Sequence, residues 1–320
     1  ALTIDEPSPL PYGFTQKGVE LFCEADFLGQ TNGSNVTSLT DQSSHNRHLT
    51  TNSDYPTFQT NVLNGKPVIR WDGSQKPLAN NANFTVRCGW ILVKYNGSLF
   101  PDTADGYKGL LSDLLTRDIL VGDRNSNEFF NFDYDLYEFR SNDRIYDQAS
   151  APAPMNQFTL IFFRFWTGIS MMGVQLGQQR DLINRKWNGD VSLLVLTSRD
   201  YAEDEIRARL FSIASAYGVT LADVYAYQPD ADSNPESLTQ SVNFYDPPEG
   251  ERISEVLGNS KRAINMKFSG ADQKEVKYMK SFHSNHYAQA LPFIYRDYRF
   301  TPPEDIEGFF DSQPELDGSH

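Results

Sequence analysis

Between residues 19 and 197 the chain is written in short apolar runs, each cut off by a cluster of Gly, Asn, Asp, Ser or Pro. That punctuation constrains the fold more than any other feature. Runs of this length suit strands better than helices, and each turn-forming residue between them has a reason to bend the backbone. The strands are expected at 19–25, 67–71, 85–94, 109–115, 128–134, 158–166 and 191–197. The run at 158–165 is apolar in both registers, which predicts a central strand covered on each face.

One helical pattern interrupts this. Ile206, Leu210, Ile213, Ala214 and Tyr217 recur at helical spacing, Asp200 with Glu203 reads as a capping box, and Gly218 supplies a left-handed stop. A proline-rich arm, 1–18, comes before the strands and is expected to lie on a neighbouring subunit. A polar stretch with two prolines, 226–235, reads as a linker closing a first domain at 19–225. Beyond it, Ile264, Met266 and Phe268 alternate as a strand, Asp272 and Glu275 cap a helix carrying Val276, Met279 and Phe282, and residues 291–295 resume a strand. This second domain, 236–300, is a small α+β unit, marginal alone and better stabilised by packing on partners. Residues 301–320 are acidic and expected to be extended.

Composition excludes several functions. Forty-two acidic against twenty-eight basic side chains give a formal charge of -14, which opposes nucleic acid and anionic lipid. The carboxylate excess is compatible with bound Ca2+, and equally with solubility alone, so no cofactor is assigned. No apolar stretch approaches the roughly 20 residues of a membrane helix. The N-terminus lacks the pattern of a secretion signal, which points to synthesis in the cytoplasm. Cys23 and Cys88 sit in apolar runs and read as small buried side chains. The sequons at Asn32, Asn35, Asn83 and Asn96 matter only in a eukaryotic secretory protein.

Four segments carry a resemblance to a known family: Leu21-Phe-Cys-Glu-Ala-Asp26, Leu39-Thr-Asp-Gln-Ser-Ser44 with Asn46, the segment 63–73 around Asn64-Gly65, and Trp187-Asn-Gly-Asp-Val-Ser-Leu-Leu-Val-Leu196 leading into 202–221. In order and spacing they resemble the concanavalin A-like, laminin-G-like domains of bacterial and phage surface proteins. The resemblance implies a mainly β fold, a two-sheet jelly-roll sandwich in which the Asn64-Gly65 turn feeds the strand 67–71 and the terminal helix packs at the sandwich edge. The last 85 or so residues resemble a phage minor tail or distal-tail domain, through Glu255, residues 262–270, the capped helix 272–282 and Pro292-Phe-Ile-Tyr295. Together these imply a virion protein of a tail tip or baseplate. Its partners would be other tail-tip proteins and copies of itself, as trimer or hexamer. The assembly surface is assigned to Phe244, Tyr245, Ile264, Met266, Phe268, Tyr278, Phe293 and Tyr295.

The sharpest chemical pattern is Asp133-Tyr-Asp-Leu-Tyr-Glu138, which imitates the alternating carboxylates of sandwich-fold glucanases. A retaining glycosidase needs two carboxyls about 5 Å apart. Asp133 and Asp135 share a face, Glu138 needs a bulge to join them, and the first acid is shorter than the Glu those enzymes use. The chain is therefore read as non-enzymatic, with a carbohydrate-active or carbohydrate-binding protein as the alternative. Sugars offer apolar ring faces and a rim of hydroxyls, so Asn131, Asp133, Tyr134, Asp135, Tyr137 and Glu138 are the candidate glycan contacts. Trp71, Trp166 and Trp187 adjoin core-like strands and are assigned to packing. His283 and His286 lack the further ligands that zinc needs, and no phosphate loop or serine elbow appears.

Overall fold

The computed structural model describes residues 9–101, 106–130, 136–146, 151–180 and 182–222, and beyond them five short strands. The chain forms two compact units, Ala1–Ala222 and Asp223–His320. The first contains β1 (Val19–Glu24), β2 (Ser38–Leu39), β3 (Leu49–Thr50), β4 (Thr57–Leu63), β5 (Lys66–Asp72), β6 (Leu78–Tyr95), β7 (Lys108–Ser112) and β8 (Asp118–Gly122). It continues with β9 (Phe129–Phe130), β10 (Leu136–Ser141), β11 (Arg144–Tyr146), β12 (Thr159–Leu176), β13 (Gln178–Gln179), β14 (Leu182–Lys186), β15 (Asn188–Thr197) and helix α1 (Glu203–Tyr217). These strands form one mainly antiparallel sheet of mixed topology, in the order β13-β14-β7-β12-β6-β15-β5-β4, with β1 on β15 and β10 on β12. The β7–β14 pair is parallel.

The spine is β6 against β12, each 18 residues long. Their side chains, with those of the neighbouring β15, alternate between two cores. Ile91, Val93, Ile161, Phe163, Leu194 and Leu196 enter the larger one. Trp90, Leu92, Leu160, Phe162, Leu193 and Val195 enter the other. Both faces of these strands are covered, which is why their sequence is apolar in both registers. Each such side chain contributes about 1.5–3 kcal/mol by leaving water. Close packing of β6 on β12 also requires Gly89, because a Cβ there would lie 2.1 Å from the Phe163 ring.

Two sequence motifs have local structural reasons. Asn64 and Gly65, with φ of 50° and 81°, form the two-residue turn that joins Leu63 to Lys66 across β4 and β5. Asp41 accepts hydrogen bonds from the backbone N–H of Phe22, Ser43 and Arg47, so the 39–44 motif staples its loop to β1.

Helix α1 departs from expectation in position. Its residues Ile206, Leu210, Ile213 and Tyr217 pack with Trp90, Phe162 and Val195 on the face of the sheet, not at its edge, because that face would otherwise be exposed. Its N-cap is Ala202, whose N–H donates to the Glu205 carboxylate, while Asp200 bonds the Tyr201 N–H. The Asp200–Glu203 capping box is therefore displaced by two residues. Gly218 ends the helix at φ 65°. The described part of the N-terminal arm also packs on its own unit. Phe14 is buried edge-on against Trp90 at 5.0 Å, the Tyr12 hydroxyl donates to Glu24, and Arg209 donates to the Gly13 carbonyl.

In the second unit, β16 (Val224–Tyr225) pairs in parallel with β19 (Phe293–Asp297), which pairs antiparallel with β20 (Glu304–Gly308). Separately, β17 (Asn243–Phe244) pairs with β18 (Arg262–Ala263). Val224 and Tyr225, the last residues before the expected linker, pair with a strand of the second unit. Residues 304–308, expected to be extended tail, gain a ladder partner. The alternating strand at 264–268 and the capped helix at 272–282 lie outside the described residues.

Candidate functional site

The β10–β12–β6 ladder is regular as far as Arg164 and then shifts in both pairs. In β10 the register shifts between Leu136 and Glu138, leaving Tyr137 as the extra residue. In β12 it shifts between Arg164 and Ile169 against β6. A bulge frees a residue from the ladder and re-aims its side chain. Here two neighbouring bulges place Tyr137 and Trp166 together, with ring centroids 4.1 Å apart and planes at 57°. The second bulge needs Gly168, since a Cβ there would lie 2.4 Å from Thr85 Cγ2.

Trp166 is 49% exposed, whereas Trp71, Trp90 and Trp187 are fully buried. The packing role assigned to Trp71 and Trp187 agrees with their burial; the same assignment for Trp166 is corrected. A continuous strand would have turned Trp166 into the helix-side core, and the bulge lifts it out instead.

Beneath the aromatic pair lies a network of ion pairs. The Arg164 guanidinium stands 4.8 Å from the Tyr137 ring centre. It pairs with Glu138, approaches Asp200 at 3.5 Å and donates to the Tyr201 carbonyl at 3.2 Å. The other Glu138 oxygen pairs with the wholly buried Arg140, which also binds Asp143 at 3.0 Å and Glu203. Arg87 closes the rim on Asp200 at 3.0 Å. Burial works against the charge of Arg140, but Glu138, Glu203 and Asp143 outweigh it and raise its pKa well above the ordinary value. Burial likewise opposes the charge of Asp200, yet bonds from Arg87 and the Tyr201 N–H, together with Arg164, hold its pKa below the usual carboxylate value. Desolvation raises the Tyr137 phenol.

Of the six glycan candidates, Asn131, Asp133, Tyr134 and Asp135 lie outside the described residues. Tyr137 is half-buried with a face in the patch. Glu138 is only 2% exposed and both its oxygens are engaged by arginines. The bulge at Tyr137 does turn Glu138, but into the ion network and away from solvent, so it is a structural carboxylate and not a surface contact. Trp166, Arg164, Asp200 and Arg87 were missed. Their signal was the Trp-Thr-Gly step that ends an apolar run, a turn-like interruption in an otherwise continuous strand.

Such a site can hold a sugar ring against the aromatic pair and offer Asp200, half-exposed at the rim, as a hydroxyl acceptor. It contains no pair of free carboxyls for acid–base work among the described residues. Nor, among those residues, does any group of three or more His, Cys, Asp and Glu side chains sit close enough to hold a metal ion. Cys23 and Cys88 are buried free thiols, both raised in pKa chiefly by burial. No described helix is long and apolar enough to cross a membrane. Of the assembly candidates, Phe244 lies in β17 and Phe293 and Tyr295 in β19, with Tyr295 in register with Tyr225 and Ile306. Tyr245, Ile264, Met266, Phe268 and Tyr278 lie outside the described residues. Compared with known proteins, the chain matches no family model, no curated protein and no solved structure.

Proposed function

We propose that this protein is a non-enzymatic structural component of a phage or phage-like tail tip, whose first unit is a jelly-roll sandwich that contacts host-surface glycans through Tyr137 and Trp166. The glycan part is supported by one observation above others: two bulges in adjacent strands bring two aromatic rings to 4.1 Å at the surface, over a fixed arginine. Exposing a tryptophan in this way forgoes its burial, and a platform of that kind suits the apolar face of a sugar. The virion part rests on the resemblance of the four sandwich segments and of the C-terminal region, and on the aromatic-rich short strands β17 and β19 as the assembly surface. Weak single-site affinity would be multiplied by copies of the chain in the particle. The alternative, a glycan-cleaving enzyme, loses support because Glu138 is committed to Arg140 and Arg164.

A glycan array and a reducing-sugar assay on the purified full chain test this reading. Binding without turnover, abolished in Tyr137→Ala/Trp166→Ala, is the expected result. Release of reducing ends from any polysaccharide would refute the non-enzymatic reading, and unchanged binding by the double variant would refute the site.

A further inference from the structure

The described part of the N-terminal arm, 9–18, enters no strand and is held to the first unit by side chains. Its backbone bonds turn inward, from the Leu10 N–H to the Phe14 carbonyl at 3.1 Å and from the Phe14 N–H to the Pro11 carbonyl at 3.2 Å. Phe14 is the main anchor: besides Trp90, its ring lies edge-on to Phe22 at 5.9 Å and to Tyr201 at 6.5 Å. The seat under it is not fully satisfied. Among the described residues, the indole nitrogen of Trp90 and Nε of Arg209 are buried without a hydrogen-bond partner, and the Arg209 guanidinium stands 5.2 Å from the Phe14 ring centre.

Tyr12 has φ 59° and ψ 28°, a left-handed backbone that a bulky residue keeps only when its surroundings impose it. Its ring packs on Phe22 at 6.4 Å and on Tyr217 at 6.2 Å, and its hydroxyl donates to Glu24 Oε1 at 2.6 Å. The same oxygen accepts the Tyr217 hydroxyl at 2.5 Å. Burial, reinforced by Glu24, raises both phenols above their ordinary pKa, so both hydroxyls stay donors. A single buried carboxylate on β1 is therefore shared between the arm and the end of α1. Tyr217 is the last residue of that helix, and the first unit closes at Ala222.

We infer that residues 9–18 form a releasable strap, which opens as one piece while the sheet stays folded and, by taking Tyr12 off Glu24, loosens the last turn of α1. A segment without ladder bonds opens at a lower free energy than the strands beneath it. Opening relaxes the Tyr12 backbone and frees the unpaired donors of Trp90 and Arg209, against the loss of the Leu10 and Phe14 burial. Glu24 carries the event to α1, because a buried carboxylate deprived of one of two donors is poorly satisfied and holds Tyr217 less well. The strap thus links the chain's entry into the first unit to its exit toward Asp223.

Amide hydrogen exchange of the purified full chain, read by mass spectrometry at peptides from 9–18, from 213–218 and from 89–95 of β6, tests the inference. In the wild type the arm should exchange about tenfold or more faster than β6 under native conditions. Tyr12→Phe removes only the hydroxyl, and should speed both the arm and 213–218 by about fivefold or more while leaving β6 unchanged. Wild-type arm exchange as slow as that of β6 would mean that no separate opening exists. In Tyr12→Phe, acceleration of the arm alone would uncouple α1 from it, acceleration at neither would remove Glu24 as the link, and equal acceleration at all three would make the arm part of global unfolding. Each of these results would overturn the inference.

Discussion

The β6–β12 pair behaves as two different objects along its length. From Thr159 to Arg164 the register against β6 advances without a break, both faces are buried and every large side chain has a core to enter. Past Arg164 the same strand slips, Trp166, Thr167 and Gly168 come to the surface, and charged residues replace apolar ones underneath. The regular half secures the fold, and the slipped half presents chemistry. In the proposed reading the glycan contact sits where the ladder is interrupted, and the ion network braces that interruption.

Several substitutions would break or sharpen this contrast. The largest effect is expected at the buried carboxylate: Glu138→Gln leaves Arg140 and Arg164 under-compensated and should cost about 3–5 kcal/mol in urea unfolding. A loss below about 1 kcal/mol would mean that the network does not support the slipped half. In the regular half, Gly89→Ala forces a Cβ toward Phe163 and should cost about 1–3 kcal/mol by overpacking. Trp166→Ala should cost only about 0.5–1.5 kcal/mol, the worth of its contact with Tyr137, while removing glycan binding. The smallest effect concerns acid. Burial opposes the charge of Asp113, but the N–H groups of Arg117, Thr116 and Leu115 hold its pKa below the usual value. A depressed carboxylate stabilises the fold above its unfolded pKa and loses that contribution as pH falls through the folded value. Asp113→Asn should therefore flatten the acid side of a stability–pH profile without shifting its alkaline side.

Much of the regular half was legible in the sequence. The double-sided apolar run at 158–165, the Asn64-Gly65 turn and the helix over Ile206 to Tyr217 follow from periodicity and turn chemistry, which are local. What was not legible depends on tertiary pairing. A bulge is a mismatch between two strands, so neither Tyr137 nor Trp166 shows it in its own segment. Glu138 resembles a catalytic acid in one dimension and becomes a network carboxylate only when Arg164, 26 residues away, is brought beside it. The N-terminal arm read as an extension onto a neighbouring subunit because its anchor on its own unit, the face between Trp90 and α1, is assembled from distant segments. The seat of α1 on the sheet face was hidden for the same reason.

The chain has four tryptophans, and the three besides Trp166 are fully buried. Intrinsic fluorescence therefore reports on the bulged pair with little surface background. Titrating the wild-type protein with the best ligand from the array should shift and quench the exposed component, and Trp166→Phe should abolish that change while keeping the buried emission. A ligand-induced change that survives in Trp166→Phe would place the glycan elsewhere and contradict the account.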